Sequence, residues 1–224
     1  MFVIWTIFGK PLTARFLKID DQNRSHHYNL TADDECYFLH EYTSGKNYSF
    51  SDTNRLVSNL KKRPSLAGTA QHRYKGLAIR YCSSAFGEGL RADWLAIGTL
   101  VPVPPSKARD HPDYDDRILQ ICQAIPAARP VDVRELVFQT QSLPADHEGG
   151  PRHSIEDLLG VYRIDESKAA PAPQSIAIVD DVLTNGTHFR AMKTILQQRF
   201  PAVPISGVFI ARRVFPNPFD EISF

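Results

Sequence analysis

The sequence is poor in features that mark several classes of protein. Its 224 residues include only three cysteines, Cys36, Cys82 and Cys122, and their wide spacing suits neither a disulfide framework nor a zinc knuckle. Basic residues number 26 and acidic residues 25, so no overall charge attracts the chain to nucleic acid or to an anionic membrane. We therefore expect a reducing, cytoplasmic location, and any anion site must be a local one.

Long apolar segments are also missing. The run "FVIWTIF" at residues 2–8 is far shorter than the roughly 20 residues of a membrane span, and it has no basic flank of the kind that precedes a signal-peptide core. We interpret it as a β-strand. No later run is long enough to cross a bilayer, so the sequence predicts a soluble protein without a membrane partner.

Two patterns divide the chain into two predicted regions. Residues 1–50 hold short strand-like runs separated by polar turns, which predicts a small β-rich N-terminal lobe serving as a hood or an interaction surface. Residues 51–224 alternate near-continuous apolar strands with amphipathic helices, which predicts an α/β domain with a mostly parallel sheet covered by helices on both faces. The predicted strands after residue 50 are 94–104, 132–138, 161–164, 175–179 and 204–211, and the predicted helices are 51–63, 75–90, 113–125 and 188–200.

A polar stretch at residues 139–154 interrupts this alternation. A loop of about 15 residues without secondary structure is uncommon inside a compact domain and is often functional. We therefore predict a lid over a ligand site.

The segment "IAIVDDVLTNGTHFR" at residues 176–190 carries the strongest chemical signal. A buried strand ends at two adjacent acids, Asp180 and Asp181, and a small polar loop then opens a helix. Backbone amides at a helix start form an anion pocket, whereas carboxylates suit sugar hydroxyls or Mg²⁺. A ribose 5-phosphate unit offers both a phosphate and hydroxyls. A receiver-like or other doubly wound domain, whose strand also ends in carboxylates, is the alternative.

This segment resembles the phosphoribosyl pyrophosphate (PRPP) motif of the type I phosphoribosyltransferases, which has four apolar residues, two acids and a Thr-rich loop. The resemblance is closest to the ComF, amidophosphoribosyltransferase-like branch. "NLKKRPS" at 59–65, "LVPVPPSKARDHPDYDDR" at 100–117 and "TQSLPADHEGGPRHSIEDLLGVYRI" at 140–164 are similar to upstream segments of that branch. The chain lacks the zinc module with which that branch often begins, and residues 1–50 have no counterpart in the resemblance.

The resemblance implies a type I phosphoribosyltransferase core and a role for each matched residue. The acid pair would hold the ribose hydroxyls, directly or through the water of a bound Mg²⁺. The loop after it would wrap the 5-phosphate, the loop after the Pro-Val-Pro strand would bind pyrophosphate with Lys107 as its cation, and the lid would close with Arg152. The implied residues are Asp180, Asp181 and Lys107 for catalysis, Thr184, Asn185, Gly186, Thr187, His188, Pro105, Ser106 and Arg152 for substrate, and Asp180 and Asp181 for Mg²⁺.

The implied reaction transfers the 5-phosphoribosyl group of PRPP to an unknown nitrogen nucleophile and releases pyrophosphate. The alternative is a PRPP- or nucleotide-sensing module without turnover. The likeness to the ComF branch also suggests an accessory role in DNA uptake, repair or defence. The N-terminal lobe would serve as a hood over the substrate, as the surface of a homodimer or as the site for a protein partner.

Overall fold

The computed structural model describes residues 14–142 and 153–216, and it has the α/β architecture that the sequence predicts. A six-stranded sheet runs in the order β1 (Leu17–Lys18), β2 (Cys36–Thr43), β8 (Ile205–Val214), β7 (Ile176–Leu183), β3 (Thr99–Pro102), β4 (Asp132–Val133). Every neighbouring pair is parallel except β1 and β2, which are antiparallel. The prediction of a mostly parallel sheet flanked by helices is confirmed.

Helices cover both faces of this sheet and divide the core into two layers. On one face, α1 (Asp52–Leu60), α2 (His72–Gly89) and α4 (Arg117–Gln123) pack with side chains such as Leu100 and Val179. On the other face, α5 (Ile155–Val161) and α6 (Thr187–Arg199) pack with Phe209 and its neighbours. A two-stranded antiparallel ribbon of β5 (Val137–Gln139) and β6 (Tyr162–Ile164) extends the second layer. The sheet is thus buried on both sides, as its continuous apolar strands require.

Polar side chains start two of these helices. Ser51 caps α1, because its side-chain oxygen accepts a hydrogen bond from the backbone N–H of Asn54 at 3.0 Å. Ser154 and Asp157 form a reciprocal capping box at the start of α5. Each cap satisfies backbone donors that the first helical turn leaves without a partner.

The structure differs from several predicted elements, and strand β7 continues through the acid pair to Leu183 instead of ending at residue 179. Residues 94–104 do not form one strand, because Ala92–Leu95 are the short helix α3 and the strand begins only at Thr99. Residues 132–138 divide between β4, which pairs with β3, and β5, which pairs with β6. Helix α5 was not predicted. Apolar runs this short do not distinguish helix from strand, so tertiary pairing decides between them.

Strand β2 lies inside the region predicted as an N-terminal lobe, yet it pairs with β8 in the main sheet from Cys36 with Gly207 to Thr43 with Val214. The predicted boundary at residue 50 therefore does not follow the edge of the sheet. The strand expected at 2–8 lies outside the described residues. In the described part of the chain, no helix combines the length and apolarity that a membrane span needs.

Gly207 provides a test of the packing between β8 and its neighbours. A Cβ atom on Gly207 would lie 2.7 Å from Cε2 of Phe209, 2.9 Å from Cε2 of Phe189 and 3.0 Å from Sγ of Cys36. Because these atoms are buried on several sides, we expect Gly207→Ala to lower the free energy of unfolding by about 1–3 kcal/mol. Urea denaturation followed by circular dichroism measures this change.

Gly160→Ala is the matched control, because a Cβ at this position in α5 meets no atom within 4 Å. We expect it to leave stability unchanged or to raise it by up to about 1 kcal/mol, since alanine favours a helix more than glycine does. Equal effects of the two substitutions would contradict the packing argument.

Candidate functional site

A cleft of about 580 Å³ opens at the carboxyl edge of the sheet, beyond the ends of β3 and β7. These two strands are neighbours, but their chain connections lead in opposite directions: β3 continues through α4 to β4, and β7 continues through α6 to β8. This is a topological switch point, where open α/β sheets bind their ligands.

Most of the predicted site residues line this cleft together. They come from segments about 75 residues apart in the sequence, after β3 and after β7. Arg152 lies outside the described residues, and Asn185, Gly186 and Thr187 are not among the residues that line the cleft, although Thr184 and His188 on either side of them are. The predicted residues that line the cleft are Pro105, Ser106, Lys107, Asp180, Asp181, Thr184 and His188.

The loop between β7 and α6 has the backbone of an anion pocket. Gly186 adopts φ +89° in the position just before the helix, a conformation that favours glycine. The side-chain Oδ1 of Asn185 accepts hydrogen bonds from the backbone N–H of Thr187 at 3.3 Å and from its hydroxyl at 2.9 Å. Within the described residues, the backbone N–H groups of Asn185 and Gly186 have no protein acceptor. These amides and the helix dipole suit a phosphate.

The side chains of Asn185 and Thr187 do not face the cleft, since both are buried in contacts within the protein. Of the five residues predicted to wrap the phosphate, Thr184 and His188 line the cleft. The ring nitrogen Nδ1 of His188 lies 2.9 Å from the hydroxyl of the buried Tyr162. Tyr162 therefore positions the imidazole at the cleft wall.

An N-terminal segment, residues 27–30, supports this loop from behind. Asn29 donates from its backbone N–H to the carbonyl of Asn185 and from its side-chain amide to the hydroxyl of Thr187, both at 2.9 Å. His27 Nδ1 hydrogen-bonds to the carbonyl of Thr184. A Cβ on Gly186 would lie only 3.1 Å from Leu30. This segment, which the resemblance left unexplained, shapes the predicted phosphate loop.

The two acids have different surroundings. Oδ2 of Asp181 accepts hydrogen bonds from Nε and Nη2 of Arg117 at 3.1 and 2.7 Å, and Nζ of Lys61 lies 3.8 Å away. Burial alone would raise the pKa of Asp181, but Lys61 and Arg117 outweigh it and hold that pKa well below its usual range. Burial and the charge of Asp181 raise the pKa of Asp180. Asp180 forms no ion pair with any described residue.

Arg117 belongs to a chain of charges that sequence reasoning missed. Asp115, just before α4, accepts from the backbone N–H of Arg117 at 3.2 Å, and its Oδ2 also accepts from Nη1 of Arg117 at 2.7 Å and from Nζ of Lys75 at 2.6 Å. The spacing Asp-x-Arg, in a segment that resembles the ComF branch, was the available signal in the sequence.

The loop after β3 supplies a second cationic wall. The carbonyl of Ser106 accepts a hydrogen bond from the side chain of Gln139 at 2.9 Å, which ties the loop to β5. Lys107 lines the cleft and makes no ion pair with the residues described. Lys61, Arg63 and Arg117 also line the cleft, as do four acids, Asp113, Asp115, Asp180 and Asp181, so the lining holds four basic and four acidic side chains. Because Arg117 is paired with Asp115 and Asp181, Lys107 is the cation on this wall that would meet an anionic ligand.

Oδ2 of Asp181 is not open to a directly coordinated Mg²⁺, because the guanidinium of Arg117 already occupies it. Among residues 14–142 and 153–216, no group of three or more His, Cys, Asp and Glu side chains is arranged to hold a metal ion. The predicted contact through water remains a prediction.

Comparison with known proteins does not identify a family for this chain. No protein-family model matches the chain, and no curated protein shows significant similarity to its sequence.

His27 makes the support of the phosphate loop sensitive to pH. Its imidazole is fully buried, and burial lowers its pKa from 6.5 to about 4, with Arg212 contributing in the same direction against the hydrogen bond to Thr184. The folded protein therefore binds fewer protons than the unfolded chain between these pH values, and stability falls as pH falls from about 6.5 to about 4. A shift of this size corresponds to roughly 3 kcal/mol.

We expect His27→Gln to flatten this part of the stability profile, because the buried titrating group is then absent. Urea denaturation at a series of pH values measures how the free energy of unfolding changes with pH. His72→Gln, which replaces a histidine at the start of α2, is the control and should show the same slope as the wild type. A wild-type slope in His27→Gln would contradict the assignment.

Proposed function

We propose that the protein is a phosphoribosyltransferase that transfers the 5-phosphoribosyl group of PRPP to a nitrogen nucleophile and releases pyrophosphate. The observation that carries this proposal is the meeting, in one cleft, of the acid pair, of Thr184 and His188 from the two ends of the loop before α6, and of the loop that holds Lys107. These groups complement the hydroxyls, the 5-phosphate and the diphosphate of one molecule. The type I phosphoribosyltransferase core that the resemblance implies is part of this proposal.

The proposed chemistry breaks the bond between C1 of the ribose and the diphosphate oxygen and forms a bond between C1 and the acceptor nitrogen. The acceptor nitrogen then loses a proton. Negative charge grows on the leaving pyrophosphate, and Lys107 and Arg63 stabilise it from the cleft wall. Positive charge grows on the ribose ring, and the carboxylates of Asp180 and Asp181 favour it. Mg²⁺ would enter with the diphosphate oxygens, the ligands that this ion prefers.

A sensor that binds PRPP without turnover is the second candidate. The observation that favours it is the pairing of Asp181 with Arg117, which withdraws one carboxylate oxygen from the ligand. Binding energy without transition-state stabilisation produces a receptor rather than a catalyst. Turnover separates the two candidates.

Calorimetry with PRPP and Mg²⁺, followed by a pyrophosphate-release assay with a panel of nucleobases and amines, tests the proposal. We expect saturable binding, and pyrophosphate release with at least one acceptor. The double variant Asp180→Asn with Asp181→Asn should lose binding by about tenfold or more, because charge-assisted hydrogen bonds to the ribose are lost. Binding without release would support the sensor. Absence of binding by the folded wild type would contradict both candidates.

Lys107 can be tested without knowledge of the acceptor. We expect Lys107→Met to weaken the affinity for magnesium pyrophosphate by about tenfold, since it removes a cation that no described carboxylate neutralises. Lys18→Met is the control, because Lys18 pairs with Glu35 at an exposed sheet edge. An affinity unchanged in Lys107→Met, or reduced equally in both variants, would remove Lys107 from the site.

A further inference from the structure

Arg117 occupies a position between two acids of the cleft wall. Its Nε and Nη2 atoms donate to Oδ2 of Asp181, and its Nη1 atom donates to Oδ2 of Asp115 at 2.7 Å. The guanidinium is therefore shared between two carboxylates that belong to different elements. Its planar fork of donors allows this arrangement, which an ammonium group cannot reproduce.

Asp115 is held by Lys75 as well as by Arg117. Nζ of the buried Lys75 donates to Asp115 at 2.6 Å, to the carbonyl of Leu60 at 2.9 Å and to the carbonyl of Lys62 at 2.7 Å. The last two acceptors flank Lys61, the second cation near Asp181. One network of hydrogen bonds thus positions both cations that face the acid pair.

The contacts of Arg117 affect whether the acid pair, Asp180 and Asp181, can bind a divalent metal. Two acids side by side normally attract a divalent cation, which compensates their repulsion. Here a guanidinium supplies that compensation and covers the oxygen that a metal would use. A second cation placed on Asp181 would meet the repulsion of Arg117 and Lys61 at short range.

We propose that Arg117 is the resident counter-cation of the acid pair, so that the ribose 5-phosphate part of the ligand binds without a divalent metal. The proposal rests on the proposed function and sharpens it: Mg²⁺ serves the diphosphate of PRPP and not the recognition of the ribose. Asp180, which has no ion pair among the described residues, remains the acceptor for a ribose hydroxyl. Arg117 is a positioning residue that acts through Asp181.

The experiment measures ribose 5-phosphate binding by calorimetry in EDTA and in millimolar Mg²⁺. We expect wild-type affinities that agree within about twofold in the two buffers. Arg117→Gln should bind about tenfold more weakly in EDTA, and Mg²⁺ should restore much of that loss, because the vacated side of Asp181 then accepts a metal. Arg117→Lys keeps the positive charge but not the fork of donors, so its response to Mg²⁺ should fall between those of the wild type and Arg117→Gln.

A double variant, Arg117→Gln with Asp181→Asn, removes the buried charge together with its partner and guards against misfolding of the single variant. It should bind weakly and show no response to Mg²⁺, since the carboxylate that would recruit the metal is absent. Arg199→Gln is the control, because Arg199 pairs with Glu166 on the exposed surface, and it should behave as the wild type. Thermal melts confirm that each variant is folded.

The outcomes separate this inference from the proposed function. Wild-type binding that requires Mg²⁺ would overturn the inference alone, and so would an Arg117→Gln variant with no change in affinity or in metal response. Absence of ribose 5-phosphate binding in both buffers would overturn the inference and the proposed function together.

Discussion

The carboxyl edge of the sheet is organised by the need to place two carboxylates, Asp180 and Asp181, next to each other at the end of a buried strand. Their repulsion is relieved unequally, because Arg117 holds Asp181 charged while burial and the neighbouring charge raise the pKa of Asp180. The remaining donors of a buried guanidinium also need acceptors. Arg117 donates to Asp115, and Asp115 also accepts from Lys75, so β7, α4 and α2 are linked by one chain of ion pairs.

In the predicted phosphate loop, the side chains and the backbone have different roles. Asn185 and Thr187 bond to each other, and Asn29 bonds to both from the N-terminal segment. The side chains thereby shape the loop, and the backbone amides of Asn185 and Gly186 are left for a ligand. A loop fixed before binding loses less conformational entropy when it binds. The N-terminal segment is thus a structural part of the candidate site and not an appendage to it.

The cleft combines charges of both signs at short range. Its lining holds four basic side chains, which come from the region after α1, from α4 and from the loop after β3, and it holds the acids Asp113, Asp115, Asp180 and Asp181 as well. Electrostatic recognition depends on such local arrangements, because charges further apart than about 10 Å are screened by salt. The formal net charge of +1 for the whole chain therefore does not exclude a specific anion site.

The sequence alone determined the α/β class, the buried strand that carries the acid pair, the glycine before α6 and the position of Lys107 in a loop after a strand, because each depends on residues close together in the chain. Tertiary structure alone decided that β2 joins the main sheet, that residues 132–138 divide between two sheets, and that Arg117 meets Asp181 from 64 residues away. Local propensity carries no information about which distant strand supplies a hydrogen-bonded neighbour or which distant charge fills a desolvated position. Those choices follow from packing the whole chain, where each buried polar group must find a partner.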